Sequence, residues 1–258
     1  MQTMTIGDYK RQARQKLAGN WPTAVRLNAF PAALQFISTI VSVFLIIGVI
    51  IVIALALGDA HASNEINQAV KTSMDASDSI NLQPGFLGSY GNRLSSFLMS
   101  IVIAMVSTGI YWASLDWLRG KKATVKFIDA FEGFNSNNIL ANFMLLLVMT
   151  LFKILWTCVL IIPGCIKVFS YSQTMFIYKD MVDKHGRENV PTSWTWYITA
   201  SRRLMQGHKA QLFWLEVSFI GWYVLVALTF GIAWFWVLPY VNMTRAVFYD
   251  NLAGDAFK

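Results

Sequence analysis

The stretch FISTIVSVFLIIGVIIVIALAL, from Phe36 to Leu57, decides the class of this protein. No charged side chain falls between Arg26 and Asp59, and the core of that gap is almost all Ile, Val, Leu, Phe and Ala. About 20 apolar residues cross a bilayer core of roughly 30 Å. The stretch therefore reads as a spanning helix with length to spare. A secretory signal peptide is the competing reading, because basic residues precede the run and Ala54-Leu55-Ala56 mimics a cleavage site. Signal h-regions run only about 7–15 residues, and this run is longer.

The rest of the chain agrees. Hydrophobic residues make up 55% of it and charged residues 14%, too little charge for a soluble surface of this size. The same figures exclude disorder, and two cysteines exclude a disulfide scaffold. A second uncharged gap lies between Arg93 and Asp116. A third span fits Ile139 to Ile162 and carries Lys153. Pro163-Gly164 reads as a turn, and a fourth span follows from Cys165 to Val182 with Lys167 near its start. Ala210 to Leu252 is too long for one span and suits two, with a tight turn at Thr229-Phe230-Gly231. The runs lack the period-2 alternation of a barrel, and unpaired backbone is excluded from lipid. The expected fold is all-α: residues 1–258 as one polytopic integral membrane domain of six transmembrane helices.

Orientation follows from the basic residues. Lys10, Arg11, Arg14, Lys16 and Arg26 precede the first span. Arg119, Lys121, Lys122 and Lys126 lie between the second and third. Lys184, Arg187, Arg202, Arg203 and Lys209 lie between the fourth and fifth. The 58–92 loop is poor in them and holds Asp59, Glu65, Asp75 and Asp78. The positive-inside rule puts both termini in the cytoplasm, residues 1–28 there as an amphipathic segment, and the polar 58–92 loop outside. The net charge of +7 thus points to a membrane rather than to nucleic acid.

Three segments look alike: Ala13 to Asn20, Ser201 to His208, and a weaker copy at Phe127 to Phe134. Each leads into a hairpin that ends with an acid beside apolar residues, at Asp116, Asp180 and Asp250. The pattern suggests three parallel repeats, each a short amphipathic cytoplasmic helix followed by a transmembrane hairpin. Ile6, Tyr9, Ala13 and Leu17 fall on one helix face, and Trp194, Tyr197, Ile198, Ser201 and Met205 repeat the pattern. Such helices lie in the headgroup plane, where Lys10, Arg11, Arg14, Lys16, Arg202, Arg203 and Lys209 would meet anionic lipid. The plainer alternative is a topogenic charge cluster without lipid specificity.

The segment from Ser201 to Leu252 carries a resemblance. It reads Arg202-Arg203-Leu204-Met205-Gln206-Gly207-His208-Lys209, then Leu215-Glu216-Val217-Ser218-Phe219-Ile220-Gly221-Trp222. It continues with Thr229-Phe230-Gly231-Ile232, Leu238-Pro239-Tyr240 and Phe248-Tyr249-Asp250-Asn251-Leu252. This resembles the "domain of unknown function 975" family of bacterial integral membrane proteins. Ala13 to Trp21 and the Pro163-Gly164 hairpin fit it too. The resemblance implies a six-helix protein of the bacterial cell membrane. It implies no activity and no catalytic residues. The long 58–92 loop departs from it.

Few residues carry chemistry. Glu216 sits about two turns inside the fifth span, and a carboxylate at that depth needs a partner. Arg245 lies at similar depth in the sixth, so the two can meet, either as an ion pair holding the hairpin or as a polar site for an ion, proton or headgroup. Lys153 lies near the middle of its span and must have a cavity or snorkel outward. Lys167 reads as interfacial, close to the outer turn. Asp116, Asp180 and Asp250 form either a cation-binding ring or local pairs with basic residues. Pro239 should kink the sixth span. Trp112, Trp117, Trp234 and Trp236 suit an aromatic belt. Cys158 and Cys165 flank the outer turn as free thiols. Asn242-Met243-Thr244 matches a glycosylation sequon inside a span. His61, His185 and His208 are scattered, and no HExxH, CxxC or P-loop occurs. No cofactor, metal or catalytic residue is expected.

The leading expectation is a non-enzymatic module that engages membrane lipids, anionic ones among them, or a membrane-protein partner. Alternatives are a small transporter or lipid flippase, with Lys153, Glu216 and the Pro239 kink lining a path, and an antimicrobial-peptide immunity protein acting through residues 62–90. A transporter expects a polar cavity near Lys153. A lipid scaffold expects a closed bundle with flat basic faces.

Overall fold

The computed structural model describes residues 4–58, 68, 71, 86–135, 139–159 and 161–254. Its elements are helices, with no strand among the described residues. In chain order they are α1 (Ile6–Leu17), α2 (Trp21–Leu27), α3 (Ala29–Gly58), α4 (Phe86–Leu118), a 3₁₀ segment (Phe127–Phe134), α5 (Ile139–Val159), α6 (Ile161–Ser170), α7 (Thr174–His185), a short 3₁₀ turn, α8 (Trp194–Leu204), α9 (Lys209–Val217), α10 (Ile220–Leu228) and α11 (Trp234–Ala253). Among the described residues, four stretches are long and apolar enough to cross a bilayer: Ala29–Ala54, Met99–Leu118, Ile139–Thr157 and Lys209–Leu228. The expected fourth and sixth spans are helical in α6–α7 and α11 but fall outside this set. The former is interrupted, and the latter carries Arg245 and Asp250. The 58–92 loop is shorter than expected, because α4 already begins at Phe86. The rest of it lies almost wholly outside the described residues, as do His61 and the side chains of Cys158 and Cys165.

α11 is the hub. Val237, Tyr240 to Thr244 and Ala246 to Tyr249 are all buried. Its two faces serve two cores, one holding Phe248 with Tyr9, Leu17 and Phe219, the other holding Tyr249 with Phe176, Tyr178 and Tyr197. The amphipathic stripe of α1 is one reason. Thr5 and Asp8 form a capping box that starts the helix. Tyr9, Ala13 and Leu17 then turn inward, and Tyr9 meets Phe248 edge-on at 5.3 Å. The stripe of α8 is likewise covered by protein: Tyr197 and Ser201 are fully buried, and Ser201 Oγ donates to the Ser170 carbonyl at 2.8 Å. The expectation that these faces rest in headgroups is therefore corrected. An apolar stripe finds better-packed partners in the bundle than at a wet interface. Arg11, Arg14, Arg202 and Arg203 stay exposed.

Glycines set the closest approaches. A Cβ on Gly109 of α4 would clash with the Ala130 carbonyl, and one on Gly133 would lie 2.6 Å from the Met105 oxygen. The 3₁₀ segment thus lies directly on the α4 backbone. Pro163-Gly164 is not the turn. α5 ends at Val159 and α6 begins at Ile161, so Pro163 sits in a first helical turn, where its missing N–H costs nothing. Gly164 lets Thr157 of α5 close in, since a Cβ there would lie 2.7 Å from its Oγ1. Thr229-Phe230-Gly231 is the expected tight turn, with φ of 50° at Phe230 and 89° at Gly231.

Helix breaks occur where the sequence signals none. α6 and α7 are separated by Tyr171-Ser172-Gln173, and α9 and α10 by Ser218-Phe219. Pro239, by contrast, lies within a helix assigned without interruption. Two tryptophans also depart from the belt: Trp112 and Trp117 are buried, and Trp112 donates to the Met175 carbonyl at 2.9 Å. Of the four expected in the belt, Trp236 is exposed and Trp234 half-buried.

Candidate functional site

A cavity of about 550 Å³ opens among α4, α5, the α6–α7 break, α9 and α11. Lys153, Glu216 and Arg245, the three intramembrane charges singled out above, all line it, together with Tyr111, Ser172 and Gln173. The tight turn between α10 and α11 returns Arg245 beside Glu216. Arg245 Nε and Nη2 donate to the two Glu216 oxygens at 2.7 and 2.9 Å, a bidentate fork. Its Nη1 reaches the Tyr111 hydroxyl at 3.3 Å. Lys153, nearly four turns into α5, has no ion-pair or hydrogen-bond partner for its ammonium among the described residues.

The α6–α7 break supplies the other polar wall. Ser172 Oγ donates to the Phe169 carbonyl at 2.7 Å, ending the α6 ladder. Gln173 Nε2 donates to Ser172 Oγ at 2.8 Å. Gln173 is only 3% exposed, and its Oε1 has no hydrogen-bond partner. Interrupted helices that present polar groups to a cavity are a recurring feature of membrane binding sites. The break takes the place expected for Pro239, which does not line the cavity.

The basic residues divide into two groups. Lys10 is committed within the protein: its Nζ donates to the Ser218 carbonyl at 2.8 Å and lies 4.4 Å from the Phe219 ring, so it braces the α9–α10 break. Arg11 pairs with Asp8 on the surface at 2.7 Å, and Arg14 is exposed. Lys16 stands 6.0 Å from the Trp117 ring. Arg202 and Arg203 are exposed, and Lys209 is half-buried at the start of α9. Lys167, expected near the outer turn, stands 4.2 Å from the ring of Trp156, close to the end of α5, and also lies within electrostatic reach of Arg202 and Lys209. This cluster flanks the cavity, because Val168 and Leu212, next to Lys167 and one turn beyond Lys209, both line it. Sequence reasoning missed the cluster, since the approach of Lys167 to Arg202 and Lys209 depends on how α6 packs and leaves no local mark.

Beyond the cavity toward the ends of α4, α7 and α11 lies an aromatic layer. Phe176 stacks on Tyr249 at 4.7 Å and meets Tyr111 at 5.5 Å. Next comes an ion network. Arg119 grips Asp180 through both terminal nitrogens, at 2.5 and 2.9 Å, and Asp250 through Nε at 2.7 Å. The Tyr249 hydroxyl donates to Asp180 at 2.7 Å. Lys179 pairs with Asp116 at 3.0 Å and with Asp183 at 3.4 Å, and Lys121 reaches Asp183 at 2.7 Å. The three helix-ending acids are thus paired with cations rather than left as an open ring, and no metal-ligand cluster occurs among the described residues. Burial works against the Arg119 charge, but hydrogen bonds to Asp180 and Asp250 outweigh it and raise its pKa. Burial likewise opposes the Asp183 carboxylate, and its bonds to Lys121 and Lys179 hold its pKa below the ordinary value.

One further polar contact ties the bundle together: Asn242 Nδ2 donates to Asn28 Oδ1 at 2.7 Å, both side chains buried. The sequon residue is therefore structural.

No curated protein and no solved structure matches the chain. A family model does, over residues 4–256, nearly the whole length. The all-helical fold, its apolar helices and this match agree, and the chain belongs to the family of proteins of unknown function designated DUF975.

Proposed function

We propose that this protein is a multi-pass protein of the bacterial plasma membrane that takes the headgroup of a membrane lipid into the Lys153–Glu216–Arg245 cavity, as a lipid-handling module of the transporter or flippase type rather than an enzyme. The observation that carries this reading is Lys153: a cation within a span, without a partner among the described residues, opening on a largely apolar cavity that also receives Glu216, Arg245 and Gln173. A charge so placed is costly unless a ligand or water meets it. A closed bundle with flat basic faces would have favoured a surface scaffold, and the cavity favours uptake. Both termini are read as cytoplasmic, with the basic segments on that side.

The six-span, three-unit architecture belongs to the same proposal. It is supported by matched positions in two of the three units. Tyr9, Ala13 and Leu17 correspond in spacing to Tyr197, Ser201 and Met205, all buried. Gly19 and Gly207 follow at the same offset with φ of 76° and 79°. The middle unit differs, its counterpart being the 3₁₀ segment.

Native mass spectrometry of the protein extracted in mild detergent tests the function. The expected result is one retained, non-exchanging lipid per chain, lost when Ala104→Trp fills the cavity. Only exchangeable bulk lipid, or retention unchanged by Ala104→Trp, would overturn the reading.

A further inference from the structure

The cavity also specifies the kind of headgroup. Ser172 Oγ has one proton, and that proton goes to the Phe169 carbonyl, which can only accept. Ser172 must therefore accept from Gln173, which fixes the amide with its nitrogen on Ser172 and its Oε1 elsewhere. The unpartnered Oε1 is consequently a true buried acceptor, in a residue that lines the cavity. A buried acceptor left without a donor is unfavourable, and a ligand that supplies one removes that cost.

Lys153 and Tyr111 bring donors to the same cavity. The Lys153 ammonium offers three N–H groups, and Tyr111 accepts from Arg245 while its own proton meets no acceptor among the described residues. The Glu216 carboxylate is held by the Arg245 fork and so is largely neutralised. Lys167, Arg202 and Lys209 add positive potential beside the cavity.

Resting on the lipid-cavity reading above, we infer that the ligand is a phosphodiester anion whose alcohol carries a free hydroxyl donor: the phosphate meets Lys153 and Tyr111, and the hydroxyl donates to Gln173 Oε1. A glycerol phosphodiester headgroup has this chemistry. A choline headgroup lacks both net charge and a donor.

The test is retention in native mass spectra after titration with phosphatidylglycerol, phosphatidylmethanol or phosphatidylcholine. Phosphatidylmethanol keeps the charge and removes the donor. The expected order is phosphatidylglycerol, then phosphatidylmethanol, then phosphatidylcholine. Lys153→Gln should weaken both anionic lipids by about tenfold or more, the loss of one charge-assisted hydrogen bond. Gln173→Met should erase the preference for phosphatidylglycerol over phosphatidylmethanol and leave both bound. The comparison among lipids needs only the wild-type protein, so a variant that fails to fold does not shelter the inference. Equal retention of all three lipids, still abolished by Ala104→Trp, overturns the headgroup inference and leaves lipid uptake standing. Equal retention of the two anionic lipids overturns the role of Gln173. No retained lipid overturns both. Displacement of phosphatidylglycerol by free glycerophosphoglycerol, its deacylated phosphodiester, at equal or lower concentration supports the ligand chemistry and overturns the membrane lipid as its source.

Discussion

Glu216 on α9 and Arg245 on α11 form a two-point ion pair whose other side faces a cavity. The geometry follows from the tight turn at Phe230-Gly231, which makes α10 and α11 antiparallel neighbours and sets residues at equal depth side by side. Removing one partner strands the other charge in a poorly solvated wall. Glu216→Gln and Arg245→Gln should each lower thermal stability in detergent, and the double variant should lose less than the sum. A coupling of about 1–3 kcal/mol is expected for a contacting charged pair. Additive losses would show that the fork contributes nothing to the fold.

That pair was legible because depth can be counted along apolar spans and a Gly-containing turn can be recognised. The inward stripes of α1 and α8 were legible too, since Tyr9, Ala13 and Leu17 keep helical spacing. What covers those stripes was not, because periodicity names a buried face without naming its partner. The break at Tyr171-Ser172-Gln173 left no mark either. It contains neither Pro nor Gly, and it exists because the Ser172 hydroxyl takes the Phe169 carbonyl from the helix ladder. The neighbours of Lys167 were legible only in part: its nearness to the turn is a local property, whereas its approach to Arg202 and Lys209 depends on how α6 packs.

Arg119 joins the ends of three helices by holding Asp180 and Asp250 at once from the end of α4. The Asp180 side chain is only 1% exposed, so its charge has little water to fall back on. Arg119→Ala should destabilise the protein by about 3–5 kcal/mol, as breaking a buried pair does. Arg119→Lys should recover part of this, because an ammonium cannot reproduce the fork. Thermal denaturation of both variants measures the difference, and equal stability of Ala and Lys would refute the role of the fork.

Acid and base should weaken the network from opposite sides. The Asp183 pKa is depressed in the folded state, so its pairing contributes stability above the unfolded value of about 3.9 and loses it as pH falls through the lower folded value. Burial works against the Lys122 charge, but Glu132 and Asp129 outweigh it and raise its pKa. Its contribution is complete below the unfolded value of about 10.4 and fades as pH rises through the folded one. Melting temperature plotted against pH should therefore fall at both ends. Asp183→Asn should flatten the acid limb, whereas Lys122→Met should flatten the basic one.

The 3₁₀ segment rests on α4 because Gly109 and Gly133 have no side chains. A Cβ on Gly109 would meet the Ala130 carbonyl, backbone against backbone, with no flexible atom to yield. Gly109→Ala should cost about 1–3 kcal/mol or more, the range for overpacking a tight contact. Gly48 in α3 is the control. Nothing lies within 4 Å of a Cβ built there, and the helix around it is exposed, so Gly48→Ala should be neutral or slightly stabilising through helix propensity. The two substitutions are chemically identical, so a difference in melting temperature isolates packing from propensity. Loss at Gly109 should also loosen Asn142, whose Nδ2 donates to the Gly133 carbonyl at 3.2 Å. Hydrogen exchange should then rise across residues 127–135 and at the start of α5 while α9 to α11 stay protected. Uniform loss of protection would mean that the segment and the bundle unfold as one unit.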